Sequence, residues 1–527
     1  MSSLPNVQAV GTALATPLNV NLARVQFAST TIYHFLFVPI TIGLSLLTAI
    51  LQTVWYRSRT EEYKRLARFF GTLLLINVAI GVVTGLVQEF EFGMNWSAWA
   101  RYVGDVFGGP LAMEGLVAFF LESTFLGLWI FGWDRLPKAV HLACIWIVFA
   151  GTTLSALFIM TANSWMQHPV GYTIDKTTNQ AQLNDVWALF TNPVFIWGYV
   201  HVLLASVVTG CLLMLAVSAW HLRHGRDSGP FMRTATLSTA ILIPVIVVQL
   251  FVGDELGVVE GTYQPMKIAA AESLWNTCDS HCSFSMFQIG GGKEHETPYE
   301  IIAIPDLLSI LATNHLDGKV QGMNQLQSQY EKKYGRGSYI PNVFIQYWSM
   351  RLMAYLGVLV LLIALASGWL IYRKRLEARR GFLRIATWAV VLAFILNTAG
   401  WLLTENGRQP WIVQGLMTVQ KGVSPSVSAT DVWISLILFV VLYAALGVVD
   451  AVLMIRYSRR PLTGPPLGDP EVAPEGTTDA ALVYWERPCH CTPCGLLSWR
   501  SSGAGTSYSR ASTSASGCCT RWSARAT

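Results

Sequence analysis

Glu405 stands near the end of the stretch 401–411 (WLLTENGRQPW), where a carboxylate closes an apolar run and a Gly-Arg-Gln-Pro break follows. A carboxylate at the edge of hydrocarbon is costly unless it pairs, takes a proton or binds a cofactor, so it reads first as functional. The plain alternative is a helix-end glutamate reaching water. His34, His201 and Met353 also sit in strongly apolar sequence. Imidazole and thioether are iron ligands, although a single His or Met in a helix is more often core material. Glu114 and Glu122 share one apolar run. Their spacing puts them about 12 Å apart along a helix and about 80° around it, on a broadly shared face. Intramembrane carboxylates commonly relay protons, whereas buried structural ones need a basic partner, and this run supplies none.

The elements that position these groups follow from hydropathy. Across 527 residues only 13% are charged, and the mean hydropathy is +0.43. This points to a membrane protein rather than several soluble domains. Runs long enough to cross a bilayer, about twenty residues each, fall at 30–56, 70–92, 109–131, 139–163, 194–220, 232–253, 346–371, 382–405 and 429–455. Lys and Arg collect after every odd-numbered run, most densely at 373–384. Such loops stay cytoplasmic, which predicts an external amino terminus and a cytoplasmic carboxyl terminus. The net charge of +5 sits in these short loops and sets topology, with no nucleic-acid partner implied. The first residues lack the pattern of a removable signal peptide. The expected fold is all-α, a polytopic membrane bundle of about nine transmembrane helices. In that topology His34, His201 and Met353 all lie just inside the outer ends of their spans.

Several motifs now stand in order: 33–39 (YHFLFVP), 88–93 (QEFEFG), 109–115 (GPLAMEG), 121–125 (LESTF), 165–169 (WMQHP) and 407–411 (GRQPW). Together they resemble subunit I of cytochrome bd-type quinol oxidases, over roughly residues 24–460. The resemblance implies two b-type haems and one haem d. His201 and Met353 would be the axial pair of the low-spin haem b, with Arg351 placed to offset propionate charge. His34 would ligate haem d and Glu405 the high-spin haem b, each leaving an iron face for oxygen. Trp401, one helical turn before Glu405, would stack between macrocycles, its alternative being ordinary aromatic packing at an interface. Glu114, Glu122 and Ser155 resemble the family's proton path. Lys267 and Glu272 match its quinol-loop positions, where an ammonium would bind a quinone oxygen and a carboxylate accept a quinol proton; without the family they read as a surface pair. Asp254 and Glu255 share that ambiguity.

The implied activity is oxidation of quinol outside and reduction of dioxygen to water, with protons for oxygen drawn from inside, so that charge separates without pumping. The implied partners are subunit II, a small single-span subunit, and membrane lipid, in a bacterial cell membrane. A di-haem cytochrome b anchor and a haem-free transporter are the rival readings; the first would use paired histidines and have no use for Glu405, and the second would need no iron ligand.

The chain thus divides into membrane spans at 1–253, an external quinol-binding loop of the short form at 254–345, further spans at 346–460 and a disordered cytoplasmic tail at 461–527. Cys144 and Cys211 read as core residues. Cys278 and Cys282 form either a short-loop disulfide or a pair of free thiols. In the tail Cys489, His490, Cys491 and Cys494 lack a second ligand pair, so zinc is not expected. That tail's composition suits disorder and equally an out-of-frame end of the coding sequence.

Overall fold

The computed structural model describes residues 17–292 and 298–462. Among the described residues nine helical spans are long and apolar enough to cross a membrane: Leu18–Ser58, Glu61–Met94, Ser97–Phe131, Lys138–Gln167, Pro193–Arg223, Ser228–Tyr263, Val343–Tyr372, Arg380–Gly407 and Ala429–Ser458. We call them spans one to nine. Each contains most or all of one expected run and extends past it, because helices continue where the hydrocarbon-like sequence stops. Span two, for example, begins with Glu61 and Glu62, and carboxylates suit the positive end of a helix dipole. Span six runs to Tyr263, so Asp254, Glu255 and Glu260 are helical and the loop begins at Gln264 rather than at 254.

Two spans are interrupted where function was expected. Span one is two helices, Leu18–His34 and Val38–Ser58, with Pro39 in the first turn of the second. Proline cannot donate to the carbonyl four residues back, so the chain turns at 35–37 and His34 becomes a helix end. Span three carries Pro110 and then a π-helical segment, Glu114–Ala118, before α-helix resumes at Phe119–Phe131. Such one-turn insertions often mark functional sites, and this one starts at Glu114.

Caps fix other span beginnings. Asn192 accepts from Val194 N–H, and Asn342 from Ile345 N–H. Ser428 and Asp431 hold each other's backbone N–H reciprocally at the start of span nine. Spans one and five approach closely at Gly43 and Gly210, where a Cβ added to Gly43 would lie 2.7 Å from the Gly210 Cα. Small residues let helix backbones meet inside a membrane bundle.

The largest buried apolar cluster gathers one end of the bundle. It takes Leu44, Leu47 and Leu51 from span one, Leu66 and Phe70 from span two, Leu212 and Leu215 from span five, Phe231 and Leu242 from span six, and Leu383 and Ala386 from span eight. These are late residues of odd spans and early residues of even ones, the end that carries the basic loops. Cys144 and Cys211 are buried free thiols within it. His34, His201, Met353, Glu405 and Glu114 lie toward the other end, where cohesion comes from smaller clusters such as Trp96, Trp99, Val103 and Trp165.

The loop between spans six and seven has structure of its own. It contains the short helices Pro265–Ala271, Leu307–Thr313 and Met323–Tyr334 and the antiparallel hairpin of Phe284–Ile289 with Tyr299–Ile304. Cys278 and Cys282 are disulfide-bonded, which decides between the two alternatives. Met266 and Ala270 pack with Met323, Leu326 and Val343, and Cys282 and Phe284 with Leu308 and Val320. The expectations for Cys489 to Cys494 and for a disordered tail lie largely or wholly outside the described residues.

Candidate functional site

Glu405 sits two residues before the end of span eight and is paired. One carboxylate oxygen accepts from Arg408 and the other from Asn163 Nδ2 at 2.9 Å, while Gln167 Nε2 donates to Asn163 Oδ1 at 2.8 Å. The Glu405 side chain remains 31% exposed. Arg408 is buried, and its Nε and Nη1 have no hydrogen-bond partner among the described residues. Trp401, one turn earlier, meets Phe35 edge to face with centroids 5.0 Å apart. Phe35 directly follows His34, so Trp401 joins the Glu405 helix to the break in span one.

His34, at that break, has its Nδ1 3.0 Å from Thr84 Oγ1 of span two. A Cβ added to Gly85 would lie 3.0 Å from His34 Cε1, so the ring rests on bare backbone. His201 on span five meets Gly253 of span six in the same way, with 3.3 Å from the added Cβ to its Cε1. Its Nδ1 is buried and has no partner among the described residues. Met353 on span seven faces Gly400 of span eight, with Sδ 3.5 Å from the Cβ position. Three candidate ligands are thus each set against a glycine on a neighbouring span.

Arg351 is tied to the loop. It is 1% exposed and forms a forked ion pair with Glu272, Nη2 to Oε2 at 2.7 Å and Nη1 to Oε1 at 3.3 Å. It also donates to Ser285 O at 2.7 Å and to Ala271 O, and its guanidinium lies 3.8 Å from the Tyr347 ring centroid. Its donors therefore engage the loop, through Glu272, Ser285 and Ala271. Burial pushes the Glu272 carboxyl above the usual range, and the Arg351 charge pulls against that shift.

Lys267 and Glu272 are not a surface pair. Lys267 is fully buried, and its Nζ donates to Gln167 Oε1 at 2.8 Å and Glu260 Oε1 at 2.9 Å. Each of the two therefore has its own counter-charge from a membrane span. Lys267 lines a cavity with Gln264, Tyr330, Tyr339, Arg408 and Trp411. At about 10 Å³ it has room for one water and not for a ring. Trp411 stacks on Tyr339 at 5.4 Å and meets Tyr334 edge-on at 4.9 Å. Burial raises the Tyr330 hydroxyl to about 12.

The third group assembles across spans three and four. Ser155 Oγ donates to Glu114 Oε1 at 2.8 Å, whereas Glu114 Oε2 has no partner among the described residues. Glu122 packs one turn away from Ser155 on span four, its Cγ 2.9 Å from a Cβ added to Gly151. The acids and the hydroxyl thus lie along one seam. Asn163, Gln167, Glu260, Arg408 and Thr84 are the partners that residue-by-residue reading did not single out. Gln167 and Arg408 stood inside quoted motifs, but nothing in the sequence tied Asn163, Glu260 or Thr84 to a partner.

Nine apolar spans among the described residues, with intramembrane imidazole, thioether and carboxylate groups toward one end and a structured loop anchored there, define a polytopic membrane protein. The family model of cytochrome bd terminal oxidase subunit I matches residues 22–462. The chain is 45% identical over 442 residues to cytochrome bd ubiquinol oxidase subunit 1 of Bacillus subtilis, covering 82% of this chain and 92% of that protein. It is 35% identical over 496 residues to cytochrome bd-II ubiquinol oxidase subunit 1 of Escherichia coli, covering 84% and 96%. The solved bd oxidase from Geobacillus thermodenitrificans superposes with a TM-score of 0.77 at 32% identity, covering 84% of this chain and 99% of that one. The chain belongs to the cytochrome bd terminal oxidase subunit I family. It is a multi-pass protein of the bacterial cytoplasmic membrane, and membership implies haem and a partner subunit II. The residues fit haem: an orphaned buried nitrogen on His201, glycine cradles at His34, His201 and Met353, and a donor set of imidazole, thioether and carboxylate.

Proposed function

We propose that this chain is the quinol-oxidising, oxygen-reducing subunit of a terminal oxidase, with two b-type haems and one haem d. His201 and Met353 would hold the low-spin haem b, His34 haem d and Glu405 the high-spin haem b. Haem iron, when bound, supplies one-electron relay and an open face for dioxygen. The observation that carries the reading is the segregation of the bundle: a buried apolar core at the end with the basic loops, and the candidate ligands toward the other end, where Lys267 and Glu272 anchor the long loop to spans six and seven.

The chain's own groups have distinct tasks. Lys267, Gln264 and Arg408 present polar atoms to the cavity beneath Trp411, where a quinol oxygen would bind once the loop helix Met323–Tyr334 moves aside. Glu272 would accept a quinol proton, with Arg351 holding it in place. Asn163 and Arg408 orient Glu405. Glu122, Glu114 and Ser155 would pass protons toward the oxygen site from the cytoplasmic side. Two quinols then release four protons outside while dioxygen takes four from inside, so charge separates without a pump. This needs an external amino terminus, as the basic loops indicate. A small single-span subunit would complete the assembly with subunit II.

Pyridine haemochrome analysis of the assembled protein, with quinol-dependent oxygen uptake on the same sample, tests this. A chlorin-type haem beside protohaem is expected. Protohaem alone without oxygen uptake would favour a di-haem anchor, and no haem would favour a transporter.

A further inference from the structure

His34 and His201 differ in what stands behind the imidazole. His201 Nδ1 is buried and has no partner among the described residues. His34 Nδ1 is 3.0 Å from Thr84 Oγ1, and that hydroxyl lies 2.9 Å from Gly81 O and 3.2 Å from Ile80 O in its own helix. A threonine hydroxyl has one proton. With that proton given to the helix carbonyls, the oxygen faces His34 as an acceptor, so Nδ1 carries the ring proton and Nε2 keeps a free lone pair. The neighbouring Gly85 lets the ring lie flat, since a Cβ there would stand 3.0 Å from Cε1.

A second layer braces this contact. Thr84 is fully buried, and its own carbonyl accepts from the Tyr443 hydroxyl of span nine at 3.2 Å. Tyr443 stacks on Tyr33 at 4.6 Å with 21° between the planes, and Tyr33 donates to Tyr443 O at 2.9 Å. Tyr33 is the residue before His34. Spans two and nine therefore hold both the imidazole and the backbone that carries it.

We propose that Thr84, backed by Tyr443, is a positioning residue that fixes the His34 tautomer and ring orientation and thereby tunes the iron at that site. This rests on the reading of His34 as a haem ligand. Outer-shell partners of ligating histidines fix the tautomer and raise ligand basicity, and their loss typically weakens metal binding by about 10- to 100-fold. A less basic ligand stabilises the oxidised iron less, so the reduction potential of that centre should rise.

The test compares Thr84→Val, which removes the acceptor at similar size, with Thr84→Ser, which restores it, and with His34→Ala, all in the assembled oxidase. The readouts are haem transfer to apomyoglobin, the iron–imidazole stretch and the potential of the centre that His34→Ala abolishes. Thr84→Val should release that haem roughly 10- to 100-fold faster, lower the stretch and raise the potential, while Thr84→Ser resembles the wild type and the low-spin centre is unchanged. If His34→Ala keeps every haem, the ligand reading fails and the proposal goes with it. If His34→Ala loses a haem but Thr84→Val matches the wild type in all three readouts, the proposal alone is overturned. Should Thr84→Val fail to assemble, Thr84→Cys, a weaker acceptor of similar size, carries the same comparison, and wild-type values in it overturn the proposal.

Discussion

Replacing Arg351 with leucine would strip the buried Glu272 carboxylate of its forked partner and leave Ser285 O without its guanidinium donor. Breaking a buried ion pair from one side costs about 3–5 kcal/mol, because the remaining charge stays desolvated. That is roughly two to three and a half powers of ten in the equilibrium for opening this part of the loop. Glu272→Leu should cost a similar amount for the opposite reason, since the guanidinium is then buried without its counter-ion. The double variant removes both charges and leaves mainly the Ala271 carbonyl without its donor, since Ser285 O still accepts from the Tyr347 hydroxyl at 3.3 Å, at about 1–3 kcal/mol if water stays out. It should therefore fall well short of the sum of the single variants. Hydrogen exchange across 265–292 reads this opening directly. Strict additivity of the two substitutions, or native protection in Arg351→Leu, would refute the claim that this pair anchors the loop to span seven.

Other outcomes follow from the same geometry. Met353→Leu conserves volume and should cost less than about 1.5 kcal/mol in stability, yet it should alter the low-spin haem spectrum and raise no change in the high-spin ones; an unchanged low-spin spectrum would exclude Met353 as a ligand. Glu114→Gln should slow turnover about a hundredfold or more at full haem content, and Ser155→Ala, which removes the hydrogen bond to Glu114 Oε1, should slow it less; normal turnover in Glu114→Gln would exclude a relay there. Cysteine labelling should find Asp317 outside and Arg59 and Arg379 inside, and cytoplasmic labelling of Asp317 would overturn the orientation.

Hydropathy sufficed for the nine spans because crossing hydrocarbon demands long apolar runs, and this demand acts locally along the chain. The ends were less legible. Span six continues through Asp254, Glu255 and Glu260 to Tyr263 because its helix outlasts its apolar sequence. The break after His34 was latent in Pro39, and the π-helical segment at Glu114 in Pro110, but neither residue by itself says whether a helix kinks or stops. Glu114, Glu122 and Ser155 were grouped only through the resemblance, and the hydrogen bond from Ser155 to Glu114 was not itself foreseen. The counter-charges were not foreseen. Lys267 and Glu272 looked like a local pair five residues apart, whereas their partners arrive from Gln167, Glu260 and Arg351 on three spans. Spacing along one helix reveals its shared face, and it carries no information about which other helix will lie against that face.

On the proposed reading, quinol gives up its protons on one side of the membrane and dioxygen takes its protons from the other. The most direct measurement places the assembled oxidase, uniformly oriented, in sealed vesicles and records quinol-driven oxygen uptake together with pH on both sides. One proton should be released outside and one consumed inside per electron, with release persisting and uptake failing when turnover is blocked downstream in Glu114→Gln during a single reduction of the haems. Release and uptake on the same side, or more than one proton appearing outside per electron, would contradict it.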